Sequence, residues 1–179
     1  MINSNMASIF DTIKQQAGDR DLSINWYKKK VADLSNRITA ARLMRDEKLK
    51  GRPAFNKLNF FRYDPKLKAV LPYYDTFPLV MPIGPAPGGF LGINFHYLPI
   101  PLRMRLLEIL DKRNFQGNYS KLKNINLIKP TLKHYLRKQF ASGFLQLEED
   151  EFAPAIFMPV AQFRKAGAGT VWRDSRSKI

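Results

Sequence analysis

Between Phe60 and Leu79 the chain reads "FFRYDPKLKAVLPYYDTFPL", which sets six aromatic side chains and three prolines in twenty positions. Rings at that density must largely bury against one another, and each proline removes a backbone donor. The segment therefore favours short strands and tight turns over any long regular element. Strands are expected at about Leu58–Tyr63, Phe77–Ile83 and Phe90–Tyr97. The "DPKLK" and "GPAPGG" stretches supply turns, because Asp-Pro and Gly-Pro steps start turns and cannot continue a ladder. Pro78 and Pro82 mark the middle run as an edge strand.

What precedes this stretch has a different period. A short helix is expected at Ala7–Gln16, and after the loop-like "GDRD" Ser23 stands where a helix N-cap would. From there Ile24, Tyr27, Val31, Leu34, Ile38 and Ala41 recur at spacings of three and four, predicting one helix of about six turns with a narrow apolar seam. Such a seam must lie along something, either the chain's own body or a neighbouring chain. Tyr27, Val31, Leu34 and Ile38 are the candidates for contact with a neighbour. Gly51 and Pro53 then end the helical region.

Further on, "LRMRLLEILDKR" predicts a short amphipathic helix through Leu102, Leu106, Ile109 and Leu110. Pro130 opens "TLKHYLRKQF" as a second helix, with Leu132, Tyr135, Leu136 and Phe140 on one face. "GFLQL" and "PAIFMPV" are expected to return as late strands around an acidic turn, "EEDE". The last stretch, "KAGAGTVWRDSRSKI", reads as a glycine-hinged tail that Trp172, a candidate for contact with a partner, anchors in a pocket. The organisation predicted is a helical arm at 1–50, an α+β body at 51–165 and an extended tail at 166–179. The body is expected to hold a small, mainly antiparallel, partly barrel-like sheet with two short helices.

Catalytic material is sparse. The chain has no cysteine and two histidines, so thiolate chemistry and cysteine metal sites are excluded. His96 alternates with Phe95 and Tyr97 as a structural strand residue would, and His134 reads as a surface group. Consecutive acids in "EEDE" diverge, which suits a solvated turn or salt bridges better than paired acid–base work. Asp64 and Asp75 sit where their carboxylates can accept local backbone amides. The glycines of "GPAPGGFLG" match no phosphate-cradling spacing and read as a hairpin. The expectation is a non-enzymatic protein with no cofactor, no metal and no small-molecule substrate. The beginning lacks the pattern of a signal peptide, and no apolar run approaches the roughly eighteen residues of a membrane span.

Charge is the stronger signal. Thirty Lys and Arg against 15 Asp and Glu give a net +15 and a pI near 10.1, which calls for a polyanionic or acidic partner. The excess falls between residues 51 and 140, with fifteen bases against four acids. Lys121, Lys123, Lys129, Lys133, Arg137 and Lys138 form a run without an acid, and three readings of it stay open: a solvated face, a contact with acidic protein, or a contact with phosphates. Most rings are expected in the core, with Tyr73 and Tyr74 the ones to reach a partner.

The segments "FFRYDPKLKAVLPYYDTFPLVMPI", "GFLGINFHYLP" and "VAQFRKAGAGTVWRDSRSKI", with "SINWYKKKVADL" before them, resemble small virion structural proteins of contractile-tailed, myovirus-type bacteriophages. The resemblance spans about residues 23 to 179 and brings no catalytic motif. It implies an assembly protein of the virion, in or near the tail baseplate, docked between larger phage structural proteins in a symmetric assembly and made in the host cytoplasm. The alternative gives the basic residues to phage DNA, in packaging, end protection or replication.

Overall fold

Two serines ahead of apolar-periodic stretches start the first two helices. In the computed structural model, which describes residues 7–20, 22–114 and 119–179, the Ser8 side chain accepts the Asp11 N–H at the head of α1 (Ile9–Ala17). Ser23 does the same for the Trp26 N–H at the head of α2 (Ile24–Asp33). The expected six-turn helix ends at Asp33. A 3-10 turn over Ser35–Arg37 and extended residues Ile38 and Thr39 separate it from α3 (Ala40–Asp46), which Thr39 caps. Ser35 and Asn36 compete for backbone hydrogen bonds, and Ile38 and Thr39 are stiff at χ1, so the chain turns where a continued seam would have pointed outward.

The ring-rich region then supplies β1 (Asn59–Phe60), β2 (Tyr74–Asp75), β3 (Leu79–Ala86) and β4 (Gly89–Asn94). After α4 (Ile100–Asp111) and α5 (Tyr119–Leu122) come β5 (Leu132–Leu136), β6 (Leu145–Gln146), α6 (Glu149–Phe157), β7 (Phe163–Arg164) and α7 (Ala168–Arg176). The protein is α+β. One open antiparallel sheet runs β5-β4-β3-β1-β6, and β2 pairs with β7 apart from it. Part of the expected "GDRD" loop and of the polar stretch after Arg113 lies outside the described residues.

Four expectations are corrected. The Pro78–Pro82 run is central, not an edge. Pro78 precedes β3, and the Pro82 carbonyl accepts the Asn56 N–H on the side of β1, so its missing donor faces past the end of that two-residue strand and costs no ladder bond. "TLKHYLRKQF" is not a helix but β5, paired residue for residue with β4 from Gly89↔Leu136 to Ile93↔Leu132. "PAIFMPV" is not a strand, because "EEDE" caps it: the Glu151 side chain accepts the Glu148 N–H at 3.2 Å, and three acids occupy the first turn of α6. The tail is not extended; α7 buries Val171 and Ser175. The "GPAPGG" hairpin is as expected, with Gly88 at φ +74 in the turn between β3 and β4.

The helical arm belongs to the body. Val31 and Ile38, 2% and 4% exposed, share one core with Phe60, Leu79 and Phe152, while Tyr27 and Leu34 pack against it half-buried. Lys14 pairs with Glu151 and Lys57 with Glu148, so α1 and the loop before β1 are both tied to the start of α6. The seam expected to meet a neighbour is therefore spent inside this chain. Across the sheet a second cluster gathers Phe61, Tyr63, Phe90, Tyr135 and Phe144, with Phe61 in ring contact with all four of the others.

A buried polar knot joins these parts. The Asp75 carboxylate accepts from the Phe77 N–H (3.0 Å), the Gln162 N–H (3.3 Å), Asn94 Nδ2 (3.1 Å) and His96 Nδ1 (2.9 Å). Burial by itself would raise its pKa, but these donors outweigh burial and hold it below the usual carboxylate range. Burial pushes His96 the other way from charge, to a lowered pKa that Asp75 only partly offsets, so the ring is neutral with Nδ1 donating, and among the described residues Nε2 has no hydrogen-bond partner. On the other side of the 3-10 turn Phe95–Tyr97, Arg103 is 2% exposed and donates to Leu98 O (2.7 Å), Ile156 O (3.0 Å) and His96 O (3.4 Å). Burial lowers its pKa to about 10, which leaves it charged at neutral pH. Trp172 Nε1 also donates to His96 O, at 2.9 Å, and the Arg103 guanidinium lies 5.7 Å from the Trp172 ring.

Two outcomes follow. Val31→Asp places a carboxylate in the core and should lower stability by about 3 kcal/mol or more in urea denaturation, unfolding the body and not merely freeing an arm. A normal midpoint for that variant would contradict the packing described. His96 refuses a proton that the unfolded chain accepts below about pH 6.5, so the stability it contributes is complete above that pH and declines toward its lower folded pKa, by up to about 1.4 kcal/mol per pH unit. Denaturation midpoints measured at about pH 7 and about pH 5.5 should differ in the native protein and converge in His96→Gln.

Candidate nucleic-acid interface

β5 is an edge strand, and facing it is the loop of residues 64–72. That loop is shaped by local bonds: Lys68 pairs with Asp64 at 2.8 Å, and Lys165 Nζ donates to Ala69 O (3.1 Å) and Leu71 O (3.0 Å) from beyond β7. Tyr63 reaches across to accept the Leu136 N–H at 2.8 Å, closing the end of β5. Between strand and loop lies a cleft of about 370 Å³.

Its walls are tyrosines and lysines. Tyr97 and Tyr135 are buried at 6% and 4% exposure, whereas Tyr73 and Tyr74 are half-buried and present part of their rings. Tyr73 leans on Tyr97 at 6.1 Å between centroids and 42° between planes. Lys66, Lys133 and Lys178 come from the facing loop, from β5 and from the residues after α7. Lys133 Nζ sits 3.9 Å from the Tyr97 ring centroid, a cation–π contact. Burial, then the nearby Lys178, push the Lys133 pKa down to about 8. Burial and the neighbouring Asp174 raise the Tyr73 phenol, which stays protonated. Among the described residues Asp75 is the one acid that lines this cleft, and its four donors occupy it, so the cleft carries net positive charge.

The basic run of the sequence does not form one patch. Lys121, Lys123 and Lys129 are exposed on α5 and the turn that follows, Lys133 enters the tyrosine cleft, and Lys138 is exposed beyond β5. Arg137 lines a second cleft of about 660 Å³ with Arg52, Phe55, Phe90, Phe140 and Phe144. Tyr73 and Tyr74, singled out as partner contacts, line the same cleft as Lys133. Trp172 is anchored, but in the chain's own body beneath Arg103. Sequence reasoning missed Lys178 and Tyr97, which no local pattern connects to β5, and Lys66, which lies in the ring-rich stretch before β2. Among the described residues no three His, Asp or Glu side chains stand close enough to hold a metal ion, and no helix is long and apolar enough to cross a membrane.

Compared with known proteins, residues 1–175 match the family model of the phage T4 terminal DNA protecting protein. No curated protein and no solved structure gives a significant match. The match bears out the phage resemblance of the sequence, while its description concerns DNA ends and not a tail or baseplate. It extends across both helical and β regions, from before α1 to the last turn of α7. The chain belongs to the family of the phage T4 terminal DNA protecting protein.

Proposed function

We propose that this protein binds the ends of phage DNA and shields them by occupancy, a role that replaces the baseplate reading. The observation that carries it is the cleft beside β5, where half-exposed tyrosine rings and three lysines share one concavity. Unpaired bases stack on aromatic rings without regard to sequence, and lysines neutralise phosphates. Protection of ends asks for this sequence-tolerant recognition. The net charge of +15 and the exposed Lys121, Lys123, Lys129 and Lys138 support wider contact with the adjoining duplex. The name of the family points the same way. The action needs no bond to be broken by the protein, and it places the molecule wherever phage DNA ends are exposed, including in the virion.

The test is binding of short linear duplex DNA, measured by fluorescence anisotropy across a salt series, against a duplex whose two ends are closed by hairpin loops. Linear DNA should bind more tightly than the closed form, with a log–log salt slope of several units at about −0.9 per phosphate neutralised. Equal affinity for open and closed DNA, or binding indifferent to salt, refutes the proposal.

A further inference from the structure

Resting on the DNA-end reading, we infer that the cleft beside β5 is a seat for a terminal phosphate monoester, held by Lys66, Lys133 and Lys178 while the adjoining base lies against Tyr73 and Tyr74.

Three observations converge on it. First, the lysines arrive from three separate parts of the chain, and none has a carboxylate within ion-pair distance among the described residues. Lys14, Lys57 and Lys68, by contrast, all have acidic partners. Second, Lys133 is drawn away from water against the Tyr97 ring, and burial, then the charge of Lys178, bring its pKa down to about 8. An ammonium so placed gains from any anion that enters, since burial has already removed much of its hydration. Third, the cleft, at about 370 Å³, lies in the range that takes one small ligand and is far too small for a duplex.

Size and charge together select an end. An internal phosphodiester carries one negative charge and is flanked by sugar on both sides, so it fills a cleft of this size less readily than a chain end does. A phosphate monoester is free on one side and carries about −1.5 to −2 at pH 7, since its second pKa is near 6. Three unpaired ammonium groups match that dianion better than they match a diester. Asp75, the acid at the cleft, is turned to His96, Asn94 and two backbone amides, and Asp64 is paired with Lys68, so neither opposes an incoming anion at close range. The half-exposed Tyr73 and Tyr74 then offer the first base a stacking surface beside the phosphate.

The experiment uses the full chain and four DNA probes of one sequence: blunt duplexes bearing 5′-phosphates, 3′-phosphates or only hydroxyls at their ends, and the hairpin-closed duplex. One phosphorylated duplex should bind about tenfold more tightly than the hydroxyl duplex, the scale of a charge-assisted contact, and which one it is identifies the strand end seated. Lys133→Met should abolish that difference between phosphorylated and hydroxyl ends. Lys66→Ala combined with Lys178→Ala, both exposed positions, should do the same without any threat to the fold, and it decides the matter if Lys133→Met unfolds. Open DNA preferred but indifferent to its phosphates overturns the phosphate seat and leaves DNA-end binding standing. Open and closed DNA bound alike overturns both.

Discussion

The turn at Phe95–Tyr97 is the point on which the rest of the molecule depends. Below it, the buried Asp75 carboxylate takes the His96 Nδ1–H, the Asn94 amide and two backbone N–H groups. Above it, the His96 carbonyl receives both Arg103 and Trp172. One three-residue turn thereby joins the end of β4, the β2–β7 pair, α4, α6 and α7. A buried carboxylate or guanidinium without partners is costly, so each is tolerated only when all of these elements are in place. The network specifies one arrangement of helices around the sheet, which a core of interchangeable Leu and Phe side chains would define less sharply.

The same turn sets the cleft. Tyr97 follows His96 directly, and its ring is the wall against which Lys133 rests. Tyr74 precedes Asp75, so the rings that face the cleft are held by the residue that anchors the knot. Aromatic residues thus have two separate tasks. Phe61, Phe90 and Phe144 fill the space behind β5, whereas Tyr73, Tyr74 and Tyr97 line the space in front of it. Tyr63 belongs to both, buried by its ring and bonded through its hydroxyl to the edge of β5. Tyrosine suits such boundaries because it is apolar along its body and polar at its tip.

Much of the local structure was legible in the residues themselves. Ser23 announced α2, the GPAPGG glycines their hairpin, and the amphipathic period of Leu102 to Leu110 announced α4, because each of these signals acts within a few residues. Arg103 within that helix was not recognisable as a core residue, since its partners are carbonyls 5, 7 and 53 positions away. β5 was misread for a similar reason. Leu132, Tyr135 and Leu136 fit a helical stripe, and only pairing with β4 made the segment a strand. Over five residues the two periods cannot be told apart, and long-range packing overrides a weak local preference.

What the sequence by itself determined was the chemical character of the protein: basic, rich in rings, without thiols, and made of helices around a small antiparallel sheet. Those properties depend on composition and on periods of two and three to four residues, which are local. Tertiary structure alone decided where the charge was put to use. It sent Lys133 into a tyrosine cleft and Arg137 to another, and it brought Lys66 and Lys178 from 112 positions apart to the same recess. It also turned the apolar seam of Val31 and Ile38 inward. Convergence of distant residues depends on how the elements pack, and packing is set by the whole chain at once.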